Sequence, residues 1–194
     1  MKIILASKSG VRKKILDKYD IDNEVIVSNV DEDEVKLSLL AEGADPLSIS
    51  KNLAEVKSIK VSNKNPDRYV LGADSVISLN TELINKPKSR EEAFAILKKL
   101  NNSKHYLISS VCIAKNGAMV WNHTDSSELK MKNLNDNELS SYLNKIETKT
   151  LIAYGVYQIE ADGLELFEYI KGDKDSIMGL PIKEIANYIK KLKK

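Results

Sequence analysis

The sequence predicts an α/β protein in which helices flank a mixed sheet. Short apolar runs typical of strands alternate along the chain with stretches of helical periodicity, as in α/β domains. The pair Asn116-Gly117 lies between two apolar runs and is the strongest hairpin signal in the chain, which adds antiparallel pairing. No internal repeat or low-complexity linker interrupts the 194 residues, so we expect one domain over residues 1–194.

The individual elements follow from this alternation in chain order. Strand-like runs lie at residues 3–6, 24–28, 69–79, 106–114, 118–122, 128–131 and 164–170. Helical patterns lie at residues 11–19, 46–60, 90–100, 136–146 and 182–192. The third helix has a clear start signal, because Ser89 precedes Glu91 and Glu92, whose charges complement a helix N-terminus. The polar stretch 62–68 predicts a loop before a central strand.

Composition excludes several classes of protein. Contents of 42% hydrophobic and 30% charged residues are typical of a soluble globular protein. A net charge of +2 is too small for extensive binding to nucleic acid or to a membrane surface. We interpret the lysines at the end of the last helix as residues that keep this end soluble.

The cysteine content and the first residues predict a compartment. Cys112 is the single cysteine, so no disulfide forms within the chain, which fits a reducing cytosol. A core strand follows Met1 almost at once, so no signal peptide is expected, and no segment approaches the length of a membrane span. We therefore expect a cytoplasmic protein.

The first loop has features of a phosphate-binding turn. The first strand is followed by a helix that places Ile15 and Leu16 toward the core, and Ser9 or Gly10 would cap that helix. The first N–H groups and the positive end of the helix then face the loop. The loop also gathers two hydroxyls and four cations: Ser7, Ser9, Lys8, Arg12, Lys13 and Lys14. An ordinary basic surface turn is the alternative, because neither established glycine-rich phosphate fingerprint is present.

An acidic residue, Asp74, stands in the middle of the apolar run 69–79. Burial of a carboxylate without a partner is costly, and polar residues at the carboxyl ends of strands in open α/β sheets commonly face a ligand. Gly72 lacks a side chain and allows another group to approach closely. A functional Asp74 is favoured over a structural one, since no capping role suits an acid flanked by strand residues.

Three further polar positions each have a functional and a simpler interpretation. Lys86 precedes Pro87, which stiffens the chain and would aim the lysine, although a surface lysine is the simpler interpretation. Glu32 belongs to the acidic tetrad 31–34, which suits a divalent cation, although a solvated acidic loop is favoured for the tetrad alone. Lys57 lies on a predicted helix, where it either reaches a site or is simply exposed.

Six short motifs occur in order along the chain: Ser7-x-Ser9-x-x-Arg12, Asp31-Glu32, Lys57, Gly72-Ala-Asp-Ser75, Lys86-Pro87 and Gly179-Leu-Pro181. At these separations they resemble the Maf family of nucleoside triphosphate pyrophosphatases. The resemblance extends from Leu5 to Leu192, essentially the whole chain. It rests on the six motifs in register and on no single one of them.

The resemblance implies a fold and an activity. The fold is a two-lobed α/β structure related to inosine triphosphate pyrophosphatases, with the active site in a central cleft between the lobes. The activity is hydrolysis of a nucleoside triphosphate to the monophosphate and pyrophosphate with a divalent cation, magnesium or manganese. By position, Asp74 matches the proton acceptor of the family. The other matching residues are Glu32, Lys57 and Lys86 among the polar site residues, and Ser7, Ser9 and Arg12 in the phosphate-side loop.

The expected chemistry suits these residue types. Cleavage between the α- and β-phosphates needs a water nucleophile and neutralisation of charge on the leaving pyrophosphate. An ordinary aspartate carboxylate, with a pKa of about 4, is a weak base at neutral pH. We therefore expect Asp74 and Glu32 to hold the cation, which lowers the pKa of the attacking water. Lys13 in the first loop is a further candidate for substrate binding.

The chain departs from the family pattern at several positions. Val11 stands where the family usually has arginine or tryptophan, at a position associated with substrate choice, and the preceding proline is missing. Ser75 replaces the usual threonine and keeps its hydroxyl. Glu160 stands where the common motif has glutamine, which resembles the branch that prefers methylated guanosine triphosphate. The alternative for Glu160 is a solvated residue before the turn at Asp162-Gly163.

Two classes of function therefore compete. The favoured one is a cytosolic, metal-dependent pyrophosphatase that acts on a nucleoside triphosphate, and Glu160 favours a guanine-type substrate. The alternative is a regulatory protein that binds a nucleotide or nucleic acid without turnover. Retention of Asp74, Glu32, Lys57 and Lys86 favours the enzyme. The resemblance also makes a homodimer a candidate assembly.

Overall fold

The computed structural model of the protein describes residues 1–159 and 162–192. The strands are β1 (Ile3–Leu5), β2 (Asn23–Val25), β3 (Val70–Leu79), β4 (Glu82–Ile84), β5 (Lys104–Lys115), β6 (Ala118–Met131) and β7 (Phe167–Lys171). The helices are α1 (Gly10–Lys18), α2 (Glu32–Ala41), α3 (Pro46–Ser62), α4 (Arg90–Leu100), α5 (Asp136–Asn144), α6 (Thr148–Tyr154), α7 (Lys174–Ile177) and α8 (Ile182–Leu192). A 3₁₀-helix precedes β7 at Asp162–Leu166. No helix in the described part of the chain is long and apolar enough to span a membrane.

The sheet is mixed, as predicted. Its strands pair in the order β2-β1-β3-β5-β6-β7, and β4 pairs with β3. Strand β1 is parallel to β2 and to β3, whereas β4 is antiparallel to β3 and β7 is antiparallel to β6. The predicted α/β class is therefore confirmed.

The chain divides into two units, each with its own internal contacts. The first unit comprises Met1–Ser75, Ile108–Ser126 and Asp173–Lys194. The second unit comprises Val76–Leu107 and Ser127–Gly172. Strands β3, β5 and β6 contribute residues to both units.

In the first unit, one face of the sheet packs against α1 and α8. Ile15 and Leu16 of α1 are buried in this core, as their spacing predicts. Ile182, Ile185 and Ile189 lie on one face of α8 and join the same cluster. The strand residues beneath these helices are Ile3, Leu5, Leu71, Ala73, Val111 and Ile113. The side chain of Ser9 caps α1 by accepting a hydrogen bond from the amide of Arg12. Of the two predicted caps, Ser9 and Gly10, the structure has Ser9.

Helix α3 packs against β3 at Gly72. A Cβ atom at Gly72 would collide with the carbonyl oxygen of Ala54 and would lie 2.7 Å from the amide nitrogen of Ser58. Only a residue without a side chain allows the helix backbone to lie this close to the strand. The close approach predicted at Gly72 is therefore confirmed, and the approaching group is α3 itself.

The second unit is built on α4, which packs against α5 and α6. Arg90 donates to the carbonyl oxygens of Leu143 and Ile146, and so ties the connection between α5 and α6 to the start of α4. His105 of β5 is fully buried, and its Nε2 lies 3.0 Å from the hydroxyl of Tyr157. Burial lowers the pKa of His105 to about 4, so the imidazole is neutral at pH 7.

Most predicted elements form close to their predicted positions, and the hairpin at Asn116-Gly117 is confirmed. Asn116 and Gly117 have φ values of 51° and 76°, as a tight turn between β5 and β6 requires. The runs 118–122 and 128–131, predicted as two strands, are one continuous strand, β6. One polar residue between them contacts β5 through its side chain: Thr124 Oγ1 lies 2.9 Å from Ser110 Oγ.

The acidic residues 31–34 form the start of a helix and not a loop. The prediction of a solvated acidic loop for residues 31–34 is wrong, because these residues begin α2. Asp31 caps the helix by accepting from the amide of Glu34 at 3.0 Å, and the next three acids occupy its first turn. Acidic side chains are favourable there because they face the positive end of the helix dipole. Helix α2 fully buries no residue, and only Val35 and Leu39, four positions apart, are half-buried apolar residues, so its apolar periodicity is weak.

The packing at Gly72 leads to a prediction about stability. We expect Gly72→Ala to lower the free energy of unfolding by about 3 kcal/mol, because the added methyl group forces α3 away from β3. Urea unfolding measures the change. Gly10→Ala is the matched control, since a Cβ atom at Gly10 would meet nothing within 4 Å. Equal stability of the two variants would contradict the close packing.

Candidate functional site

Three of the predicted site residues form one charged cluster in the first unit. The Nζ atom of Lys57 lies 2.8 Å from Oδ1 of Asp74 and 2.8 Å from Oε1 of Glu32. Lys57 and Asp74 are each only 5% exposed, whereas the side chain of Glu32 is 39% exposed. The cluster therefore has two buried members and one that reaches solvent.

The packing of α3 on β3 and of α2 on α3 explains why these three residues meet. Asp74 lies two residues beyond Gly72 on β3, so its side chain is on the face that α3 covers. Lys57 lies on the turn of α3 that contains Ser58, at the point of closest approach. Glu32 is held in the first turn of α2, which packs against α3. Three separate elements thus bring the charges of the cluster together.

One oxygen of Asp74 is available for a ligand. Oδ1 accepts from Lys57, but Oδ2 is buried and has no hydrogen-bond partner among the described residues. A buried acceptor without a donor costs free energy, and functional sites are where proteins retain such atoms. This oxygen can accept a proton or a hydrogen bond from water, or coordinate a cation.

The carboxylates of the cluster suit a divalent cation that is shared with a substrate. The described residues contain no group of three or more His, Cys, Asp or Glu side chains placed to hold a metal ion. Mg²⁺, however, is commonly bound by one or two carboxylates together with the phosphates of a substrate. Asp74, with its unpartnered Oδ2, and the half-exposed Glu32 fit that pattern.

The hydroxyls of the first loop interact with Arg12. The Oγ atom of Ser7 accepts from the amide of Ser9 and from Nη1 of Arg12, both at 3.2 Å. The Oγ atom of Ser9 accepts from the amide of Arg12 at 3.3 Å. Both predicted loop serines thus shape the turn itself, and the first turn of α1 begins beside them.

Arg12 makes hydrogen bonds to acceptors on four different residues. Nε donates to the carbonyl of Gly179 at 2.9 Å, and Nη1 donates to the carbonyl of Ala73 at 3.0 Å as well as to Ser7. Nη2 donates to Oγ of Ser75 at 3.1 Å. Burial lowers the pKa of Arg12 from its usual value, and the negative charges of Asp74 and Glu32 partly offset this effect. An arginine remains charged under such conditions.

Two of the four partners of this arginine, Ser7 and Ser75, are predicted site residues, whereas the carbonyls of Gly179 and Ala73 were not predicted. Gly179 belonged to a recognised motif but had no assigned role, and a backbone carbonyl such as that of Ala73 leaves no signal in the sequence. Ser109 is buried and its Oγ lies 3.0 Å from that of Ser75. A polar residue within the apolar run 106–114 was the available signal for Ser109, the same kind of signal that identified Asp74.

Val11, Lys13 and Lys86 each have contacts within their own unit. Val11 is half-buried and packs against the core of the first unit. Lys13 forms an exposed ion pair with Asp17 at 2.6 Å. Lys86 belongs to the second unit, where its Nζ donates to the carbonyl of Ala153 at 2.9 Å. Glu160 lies outside the described residues.

Comparison with known proteins gives consistent matches over nearly the whole chain. The sequence model for the family described as "Maf-like protein" matches residues 2–192. A nucleoside triphosphate pyrophosphatase of Pelagibacter ubique (strain HTCC1062) is 58% identical over 191 residues, 98% of each chain. A 7-methyl-GTP pyrophosphatase of Brucella abortus biovar 1 (strain 9-941) is 36% identical over 182 residues, 94% of this chain and 92% of that protein. Among solved structures, the Staphylococcus aureus Ham1 protein aligns with a TM-score of 0.41 and 17% identity, over 68% of this chain and 72% of that one.

The charged cluster leads to a second prediction about stability. We expect Lys57→Met to lower the free energy of unfolding by about 3 kcal/mol at pH 7, because the variant leaves the Asp74 carboxylate buried without a cation. Chemical denaturation measures this change. Lys51→Met is the matched control on the same helix: Lys51 is exposed, and its replacement is expected to change stability by no more than about 0.5 kcal/mol. A loss in Lys57→Met as small as in the control would show that the buried pair does not form.

Proposed function

The chain belongs to the Maf family, and on that premise we propose that it hydrolyses a nucleoside triphosphate to the monophosphate and pyrophosphate. The observation that carries the proposal is the buried Asp74, whose Oδ2 is unpartnered among the described residues while Oδ1 is held by Lys57. A general base needs one oxygen fixed and another available for the proton it accepts. The relatives named above, matched over nearly their full length, support the same activity.

In the proposed reaction, Asp74 orients and deprotonates the attacking water. Oδ2 accepts a hydrogen bond from the water and takes its proton as the water oxygen bonds to phosphorus. The anhydride bond between the α- and β-phosphates breaks, and the electron pair leaves with pyrophosphate. Lys57 holds the carboxylate in place and keeps a positive charge beside it.

Asp74 and Glu32 are the residues that would hold a divalent cation, magnesium or manganese. When bound, such an ion neutralises phosphate charge and lowers the pKa of water, which compensates for the weak basicity of a carboxylate. Lys57 already lies between the two carboxylates and offsets their mutual repulsion. The protein therefore keeps both acids close together before any ligand binds.

Phosphate charge is the second requirement of the reaction. We assign Ser9 and the first turn of α1 to phosphate binding, because N–H groups at a helix start form an anion site. On the family resemblance, we assign Lys86 to the leaving pyrophosphate, where a cation stabilises developing charge. Lys13 and Lys14 are exposed on α1 and add positive charge near this end of the helix.

The proposed substrate class is a guanine-type nucleoside triphosphate, selected by Glu160. An ionised carboxylate only accepts hydrogen bonds, and the guanine edge offers two neighbouring donors, N1–H and the exocyclic amino group. Thymine and uracil offer one donor between two carbonyl oxygens, which a carboxylate repels. A relative that is 36% identical bears the name 7-methyl-GTP pyrophosphatase, which supports this choice. Val11, by contrast, argues against a methylated guanine, because it offers no aromatic face on which the positively charged base could stack.

The role of Asp74 is tested by Asp74→Asn, which keeps the shape of the side chain but removes the base. We expect kcat for pyrophosphate release to fall about 100-fold or more, the scale of a lost general base, while the protein remains folded. Asp20→Asn, in the exposed turn after α1, is the control and should keep full activity. Activity of Asp74→Asn within a few fold of wild type would refute the role of Asp74. Nucleotide binding by the wild type without pyrophosphate release would instead favour the non-catalytic alternative.

The role of Glu160 is tested by turnover of guanosine, 7-methylguanosine, uridine and thymidine triphosphates. We expect the wild type to prefer the guanine-type substrates, and Glu160→Gln to shift the ranking of kcat/KM toward the pyrimidines by about 100-fold. Circular dichroism of both proteins controls for folding. A wild type that prefers pyrimidines, or a ranking unchanged in the variant, contradicts the assignment.

A further inference from the structure

We propose that Arg12 is a positioning residue that fixes β3 on both sides of Asp74, and that it is not a ligand of the substrate phosphates. The proposal rests on the proposed function of Asp74 as the base. It departs from the role that the sequence suggests for an arginine in a phosphate-side loop. The position and number of the hydrogen bonds of the guanidinium carry it.

The acceptors of Arg12 flank Asp74 directly. Nη1 donates to the carbonyl of Ala73 and Nη2 donates to the hydroxyl of Ser75, the two neighbours of Asp74 in sequence. Successive side chains of a strand point to opposite faces, so Ser75 and Asp74 point to different sides of the sheet. Arg12 therefore holds the strand from the face of α1, while Lys57 holds the carboxylate from the face of α3.

The turn at Gly179 is shaped around the guanidinium. Gly179 has a φ of 93°, a conformation that favours glycine, and its carbonyl accepts from Nε of Arg12. A Cβ atom at Gly179 would lie 3.0 Å from Oγ of Ser75 and 3.3 Å from both Nε and Nη2 of Arg12. The absence of a side chain lets this turn close against Arg12 and Ser75 together.

Few donors remain for a substrate. A guanidinium has five N–H groups, and Arg12 makes four hydrogen bonds to protein acceptors, which leaves one N–H on Nη2. The strong form of phosphate recognition by arginine is bidentate and needs two parallel N–H groups. Arg12 would have to break bonds to β3 or to the Gly179 turn to bind in that way. The positive charge of Arg12 still interacts electrostatically with the carboxylates of Asp74 and Glu32.

Positioning of this kind acts on turnover more than on binding. A displacement of about 1 Å in a catalytic group lowers a rate by about 100-fold, while contacts between the substrate and other residues persist. Loss of a phosphate ligand, by contrast, weakens binding in the ground state as well as in the transition state. The two roles therefore predict different changes in kcat and in affinity.

The experiment compares wild type with Arg12→Lys and Ser75→Ala, with Arg68→Lys as the control. Lysine keeps the charge of Arg12 but has one nitrogen for the four acceptors, whereas Ser75→Ala removes one acceptor and leaves Arg12 in place. Arg68 pairs with Glu24 near the start of β3 and is outside the proposed machinery. For each protein we would measure kcat for pyrophosphate release and calorimetric affinity for a non-hydrolysable α,β-methylene triphosphate.

We expect Arg12→Lys to lower kcat by about 100-fold and Ser75→Ala by about 10-fold, while affinity for the analogue stays within about threefold of wild type. Arg68→Lys should change neither quantity. Loss of affinity with kcat retained in Arg12→Lys would overturn the proposal and make Arg12 a phosphate ligand. If Arg12→Lys does not fold, Ser75→Ala decides, and an unchanged kcat in that variant overturns the proposal.

Failure of the proposed function has a different signature. A wild type that releases no pyrophosphate refutes the function, yet amide hydrogen exchange still tests Arg12. Exchange in residues 70–75 should be faster in Arg12→Lys and Ser75→Ala than in Arg68→Lys. Unchanged exchange in the first two variants would show that Arg12 does not hold the strand.

Discussion

The buried ion pair between Lys57 and Asp74 is the interaction on which the candidate site depends. Both residues are 5% exposed and their charged atoms lie 2.8 Å apart. A buried pair seldom stabilises a protein more than apolar residues of the same size would, because desolvation offsets the attraction. What the pair fixes is geometry: it holds one oxygen of Asp74, and the other is left without a partner among the described residues. The pair forms only because α3 approaches β3 closely at Gly72, two residues before Asp74.

Side chains of β3 alternate between two faces of the sheet, and each face supports the strand at Asp74 in a different way. Gly72 and Asp74 point toward α3, whereas Ala73 joins the apolar core beneath α1 and α8. The carboxylate is thus supported on one face by a cation, and its neighbours on the strand are supported on the other face by a guanidinium. This arrangement explains how an apolar strand can carry an acid at its centre without losing its place in the sheet. The apolar residues on the core face keep the strand buried, and Ser75, next to Asp74, directs its hydroxyl to Arg12 and Ser109.

The charges of the first loop show how far composition overstates the capacity to bind phosphate. Six polar residues fall close together in sequence, but several of them are occupied by the protein itself. Arg12 donates to four acceptors, Lys13 pairs with Asp17, and the hydroxyl of Ser9 caps α1. The helix start and the exposed Lys8 and Lys14 remain the better candidates for contact with an anion. The number of cations determines the electrostatic potential around the loop. The hydrogen-bond geometry determines which donors are left for a ligand.

The sequence by itself determined the α/β class, the position of Asp74 as a costly acid in an apolar run, and the hairpin at Asn116-Gly117. These features are local: periodicity, turn chemistry and the cost of burying a charge act within a few residues of each other. Only the tertiary structure decided that Lys57 and Glu32 meet Asp74 and that the acidic tetrad begins a helix. It also decided that Arg12 donates its hydrogen bonds to β3 and to the turn at Gly179. Helix α2 fully buries no residue, so its apolar pattern is weak, and two of the four acceptors of Arg12 are backbone carbonyls, which every residue possesses. Contacts between residues distant in sequence depend on how helices pack against the sheet, and that packing is a property of the whole core.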